Sequence, residues 1–236
     1  NPHDICHWIV DRRRDVIGLT LDPKLDPPLP ENLEPPPCEP EFIVRCRQRD
    51  HYGAELRRTE DWSTAEWRRY LNAYYRLVEH ADKRLGRILA ALAEAGLENN
   101  TIVLFTSDHG EGLAEHRWVV KLMLYESAAT VPMILRFPGR LPAGVVDRRH
   151  LVSGLDVLPT LCDYAGVDVP EDIRGESVRA VIDDPHLSGR EFVVVELQPD
   201  PQTPAMKGRM IRSARYKYVV FSEGARREML FDLRDD

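Results

Sequence analysis

The chain has 236 residues, 43% hydrophobic and 30% charged, a balance that excludes a disordered or collagen-like polymer. Its 32 basic and 39 acidic residues leave a net charge of −7, which argues against a general nucleic-acid binder. No run of about 18 apolar residues is present, so no membrane-spanning helix is expected.

The length corresponds to about one and a half ordinary domains. Four cysteines are too few for a disulfide scaffold. Cys6, Cys38, Cys46 and Cys162 show no C-x-x-C spacing for a zinc site, and read as small buried side chains or bystander thiols.

The chain opens on Asn1-Pro2-His3-Asp4, which is neither an initiator nor a signal peptide. It ends on Phe231-Asp232-Leu233-Arg234-Asp235-Asp236 without a terminal helix. The expectation is a piece of a longer protein. Eight of the 18 prolines lie between Pro23 and Pro40, which predicts an extended segment crossing a surface.

A long helix follows. Ser63-Thr64-Ala65-Glu66 fits a capping box. Apolar residues recur at helical spacing at Trp67, Leu71, Tyr74, Val78, Ala81, Leu85, Ile88, Leu92 and Ala95, predicting one core-facing stripe. Arg68, Arg69, Glu79, Lys83 and Arg87 form the solvated face, and Gly96 the stop.

Thr101–Thr106 (TIVLFT) reads as a strand buried on both faces, and the preceding helix predicts a crossover in a parallel sheet. Val131–Phe137 and Glu191–Leu197 read as further strands, and Leu155–Ala165 as a helix closed by Gly166. From Arg209 the pattern alternates, predicting a small antiparallel meander with a last strand near Met229–Leu233.

The sharpest chemical feature is Ser107-Asp108-His109-Gly110, placed directly at a strand exit, where open sheets gather ligands. Asp108 offers a hard anionic oxygen and His109 an imidazole; Gly110 permits the bend that lets both reach one cation. Glu115-His116 and Lys121 follow. A lysine beside a cation makes chemical sense with an oxyanion between them. The structural alternative for each is ordinary: a turn cap for Asp108, a satisfied side chain for His116, a surface lysine for Lys121.

Ser107-Asp108-His109-Gly110, Glu115-His116, Lys121-x-x-x-Tyr125-Glu126, Val131-Pro132 and Arg136-Phe137-Pro138-Gly139 together resemble the second half of a sulfatase, in the alkaline phosphatase superfamily. Asp156–Gly166, Tyr216-Lys217-Tyr218 and Leu230–Leu233 resemble the family's following helix and small C-terminal sheet. The resemblance implies an α/β fold, a partial three-layer α/β/α alkaline phosphatase-like sandwich with a small C-terminal antiparallel sheet. Residues 1–190 would be the back part of the catalytic domain and 191–236 a β subdomain.

The resemblance also assigns roles. Asp108 and His109 would ligate a divalent metal, calcium first, with magnesium or manganese as alternatives; His109 stands where the family often has Asn. Lys121 would bind the sulfate and assist the leaving group. His3 would protonate the leaving oxygen, and His116 would line the substrate pocket. The substrate would be a carbohydrate, aryl or alkyl sulfate ester, with no nucleic-acid or membrane partner.

One part of the pattern is missing. Family members carry a formylglycine nucleophile within Cys/Ser-x-Pro/Ala-x-Arg. Cys38-Glu39-Pro40 has the proline but ends on Phe42 instead of Arg, and no other cysteine or serine fits. The aspartate pair that completes the family's metal site also has no counterpart. The expectation is a sulfatase fragment, inactive alone, with its formylglycine in a missing N-terminal half. A phosphonate or phosphate mono- or diesterase of the same superfamily, or a non-catalytic anion-binding domain, stands as the alternative. Localisation is unreadable.

Overall fold

The computed structural model describes residues 21–48, 59–199 and 203–234. His3, Cys6, His7 and His51 lie outside them.

Helix α1 (Glu41–Gln48) follows the proline-rich segment. The sequence reading has no helix here, yet Phe42, Ile43 and Cys46 of this short element are buried in the core. The 31-residue helix α2 (Thr64–Glu94) starts at the predicted capping box: Ser63 accepts from the Glu66 N–H, and Glu66 accepts from the Ser63 N–H at 2.8 Å. Gly96, just past its end, takes the left-handed conformation with φ +69.

Strand β1 (Val103–Thr106) pairs with β2 (Met133–Arg136). The pairing is antiparallel, Val103 opposite Arg136 and Thr106 opposite Met133; among the described residues no strand precedes α2, so this pair says nothing of the parallel crossover expected through that helix. Neither face of β1 is fully buried, a departure from the sequence reading.

The short helix α3 (Glu126–Ala129) lies between the strands. A single 3-10 turn (Gly154–Asp156) leads into α4 (Val157–Ala165), which Gly166 ends at φ +69 as predicted. Asp156 is fully buried and accepts from the Ser153 and Glu176 N–H groups and from Arg190, fixing the entry of α4. A short α5 (Arg179–Asp183) follows.

The tail forms an antiparallel sheet in the order β3 (Val193–Leu197), β4 (Gly208–Arg212), β5 (Tyr216–Phe221) and β6 (Glu228–Asp232). Along β5, Lys217, Val219 and Phe221 point inward in strict alternation. Phe221 stacks on Phe42 of α1 with ring centroids 4.4 Å apart.

One core joins these parts. It gathers Phe42 and Ile43 of α1, Trp67, Tyr70 and Leu71 of α2, Trp118, Val119 and Tyr125 of the intervening loop, and Met210, Val219 and Phe221 of the four-stranded sheet. The loop between β1 and α3 is therefore built into the core at its centre and at its α3 end, and only its first residues, Ser107 and Asp108, lie at the surface.

Candidate functional site

The Asp108–Gly110 turn leaves β1 and docks on α3. The Gly110 N–H donates to the Ala128 carbonyl at 2.9 Å, and the Glu111 N–H to the Ser127 carbonyl at 3.2 Å. A Cβ on Gly110 would lie 1.9 Å from the Ser127 oxygen, so only glycine fits. Close approach, not the bend the sequence suggests, is the reason for that glycine.

Asp108 projects outward with 84% of its side chain exposed. Burial acts to raise its pKa, but His109 beside it, backbone N–H groups and Lys121 together hold it below the ordinary carboxylate value. His109 Nδ1 lies 2.7 Å from the Gly110 carbonyl. A carbonyl can only accept, so Nδ1 carries a hydrogen, and whenever the ring is uncharged its lone pair is on Nε2. That Nε2 sits 3.6 Å from Asp108 Oδ2. An imidazole held through its other nitrogen by a carbonyl is the arrangement that orients metal-binding histidines.

Lys121 comes from the far end of the loop. Its backbone carbonyl accepts from Trp118 Nε1 at 3.1 Å. Its charge acts on both Asp108 and Glu111, as does that of His109 when its ring is protonated. Among the described residues its ammonium pairs with no carboxylate. The fold thus brings Asp108, His109 and Lys121 into electrostatic reach of one another.

Glu111 follows directly on the Asp108–Gly110 turn, and the sequence alone gives it no role. It is 6% exposed, and its Oε1 accepts from Tyr70 Oη at 2.7 Å and from the Val120 N–H at 2.5 Å. Burial raises its pKa, against the pull of those bonds.

The loop that carries Lys121 is strained. Leu113, Ala114, His116, Arg117, Val120 and Leu122 all have positive φ, between 50 and 75. Left-handed conformations cost non-glycine residues about 1–2 kcal/mol each. Burial of Ala114, Trp118 and Val119, and the bonds from Gly112 N–H to Val120 O and Ala114 N–H to Trp118 O, hold the shape.

His116 is held elsewhere. Its N–H donates to the Asn32 carbonyl at 2.8 Å, and its Nδ1 faces the Glu34 carbonyl at 3.3 Å. Its ring lies on Tyr125, centroids 4.3 Å apart. Burial lowers its pKa. No hydrogen bond, ion pair or ring contact joins it to Asp108, His109 or Lys121. Arg47 of α1 clamps the same turn, donating to the His116 and Arg117 carbonyls while pairing with Glu39 at 2.8 Å. The proline-rich segment is therefore more than a surface connection: Asn32, Glu34 and Glu39 fasten the loop.

Among the described residues, no group of three or more His, Cys, Asp and Glu side chains is placed to hold a metal ion. Asp108 and His109 supply two donors, whereas hard cations take about six to eight. The pair fits a share of such a shell and no more. His3 lies outside the described residues.

Residues 24–167 match the Sulfatase family, and residues 114–236 match the family described as N-sulphoglucosamine sulphohydrolase, C-terminal. The chain belongs to the sulfatase family. It is 31% identical to the Delta 4,5-hexuronate-2-O-sulfatase of Bacteroides thetaiotaomicron, over 100% of this sulfatase chain and 49% of that protein. The solved structure of a 2-O GAG sulfatase superposes with a TM-score of 0.86 at 29% identity, over 100% of this chain and 51% of that one. The phosphonate monoester hydrolase of Agrobacterium radiobacter superposes with a TM-score of 0.70 at 26% identity, over 92% of this chain and 46% of that one. The fold is thus that of part of an alkaline phosphatase-like α/β sulfatase. The chain spans about half the length of these relatives.

Proposed function

We propose that this chain supplies the anion-binding half of a sulfuric ester hydrolase acting on a sulfated carbohydrate or an aryl or alkyl sulfate. The observation that carries the reading is the exposed Asp108 carboxylate and the Lys121 ammonium, which pairs with no carboxylate among the described residues, each within reach of the other's charge without touching it. Groups set that way suit a cation and an oxyanion placed between them.

In this reading Asp108 and His109 Nε2 are two donors to a divalent cation, calcium first, with magnesium or manganese as alternatives. Such an ion polarises a sulfate oxygen. Lys121 stabilises the charge that develops on the sulfate and its leaving oxygen. His3 delivers a proton to that oxygen. His116 lines the substrate side of the loop. The nucleophile, a formylglycine in this family, lies in sequence this chain does not carry, so the chain alone is inactive.

The test uses a chain that also carries the nucleophile-bearing half. Lys121→Ala lowers kcat for an aryl sulfate by roughly 10²–10³, the cost of removing one charge-stabilising group. An unchanged kcat removes Lys121 from the mechanism. The likeness to a phosphonate monoester hydrolase supports a second reading, hydrolysis of phosphonate or phosphate esters. Comparing 4-nitrophenyl sulfate with 4-nitrophenyl phenylphosphonate separates the two, the sulfate being the faster substrate in the first reading.

A further inference from the structure

The strained loop is gripped from outside by two residues to which the sequence alone gives no role. Arg47 stands in the last turn of α1, and Glu39 two residues before that helix begins. Their side chains are 21% and 9% exposed and pair at 2.8 Å. A charge pair so far from water is costly to assemble unless its remaining donors find acceptors. Here they do: the guanidinium of Arg47 donates from Nη2 to the His116 carbonyl at 2.7 Å and from Nη1 to the Arg117 carbonyl at 3.1 Å.

His116 and Arg117 are consecutive and both left-handed, with φ 51 and 52. Left-handed residues ordinarily occur singly, because each pushes its Cβ toward the following carbonyl. A planar guanidinium can take two neighbouring carbonyls at once, which the point charge of an ammonium does not reproduce. Arg47 thus holds a twist that the two residues disfavour on their own.

The grip reaches Lys121 from both sides. Before it, the Arg47 guanidinium lies over the Trp118 ring, 4.8 Å from its centroid, and Trp118 Nε1 donates to the Lys121 carbonyl. After it, Tyr125 Oη donates to Glu39 Oε1 at 2.9 Å, at the entry of α3. We infer that Arg47, backed by Glu39, is a positioning residue that sets Lys121 for its oxyanion. No hydrogen bond or ion pair joins Arg47 or Glu39 to Asp108, His109 or the Lys121 ammonium, so the effect runs through the backbone of the loop. Arg47 has this role only if Lys121 is the anion-binding lysine proposed above.

The test follows trace acetylation of the Lys121 amine in the 236-residue chain, in the cold and by peptide mass spectrometry. Inorganic sulfate is the probe, and the exposed Lys83 is the internal reference. Sulfate protects Lys121 and leaves Lys83 labelled, and the midpoint of protection measures affinity. Arg47→Met raises that midpoint about tenfold, the worth of one charge-assisted hydrogen bond felt at the site. Arg47→Lys keeps a charge beside Glu39, disturbs folding less, and raises it about threefold, half of that free energy. Arg179→Met is the control. Arg179 also pairs with a carboxylate, bonds a carbonyl and lies over a ring, but its partners Asp163 and Tyr164 belong to α4. This variant lowers the melting temperature and leaves the midpoint unchanged. A midpoint unmoved by both Arg47 variants overturns the inference, as does an equal rise in Arg179→Met, which would mean general loosening. Failure of sulfate to protect Lys121 in the unaltered chain overturns the Lys121 reading itself, and the role of Arg47 with it.

Discussion

The Glu111 carboxylate accepts the backbone N–H of Val120 at 2.5 Å, although the two residues lie nine positions apart on a strained loop. Tyr70 of α2 donates to the same oxygen. One buried acceptor therefore ties the turn carrying Asp108 and His109 to the residue preceding Lys121, and ties both to the long helix.

Replacing Glu111 by Ala leaves the Val120 N–H and the Tyr70 hydroxyl without that acceptor. Each orphaned buried donor costs about 1–3 kcal/mol. Glu111→Gln keeps a carbonyl oxygen for both and loses far less. Urea unfolding of the two variants measures the difference; equal losses would show that the oxygen is not what holds the loop.

Lys217 is 2% exposed on the inner face of β5, its ammonium 3.0 Å from Glu126 Oε2 and 4.3 Å from the Phe231 ring centroid. Burial lowers its pKa against the opposing pull of Glu126. Glu126→Gln removes the ion-pair partner of this buried ammonium, and because Glu126 is itself 35% exposed the loss falls below the about 3–5 kcal/mol of a fully buried pair. Lys217→Met, which keeps the stem and removes the charge, costs less, because Arg212 still pairs with Glu126 at 2.9 Å. Chemical denaturation ranks the two.

His150 faces acceptors on both ring nitrogens: Asp147 Oδ2 at 2.5 Å and the Leu187 carbonyl at 3.0 Å. Only the doubly protonated ring satisfies both. The hydrogen bond to Asp147, followed by that to Leu187, raises its pKa above the ordinary 6.5, against Arg149 nearby. The stabilisation is complete below 6.5 and is lost as pH rises through the raised value. Asp147 is shifted the other way: burial acts upward, but His150 and the Arg149 and His150 N–H groups bring it below 3.8. Its contribution is present above 3.8 and lost as pH falls. NMR titration of the ring checks this: Asp147→Asn moves the His150 midpoint down, and an unchanged midpoint contradicts the pairing.

Local signals were legible in the sequence. The Ser63–Glu66 capping box, the Gly166 helix stop and the alternating tail are set by neighbours within a few residues, and each forms as read. The Asp108-His109 motif and Lys121 also stand out, because a carboxylate, an imidazole and a lysine after a strand are the residue types that the proposed cation and oxyanion would call for. Relations over long separations were not legible. The direction of β2 against β1 depends on how the chain returns over the intervening loop. Helix α1 is too short for periodicity to reveal, and tertiary contacts with Phe221 sustain it. Glu111 resembles any surface glutamate until Tyr70, 41 residues earlier, is placed above it. The α2 stripe was read as core along its whole length, and the structure buries it only near its start.

The central claim is that the chain holds the anion-binding side of a sulfatase site without a nucleophile. The most direct test is release of 4-nitrophenol from 4-nitrophenyl sulfate by the purified 236-residue chain in calcium buffer. The account predicts no release above the buffer rate. Release that disappears in Lys121→Ala would contradict it, because this chain would then carry a nucleophile of its own.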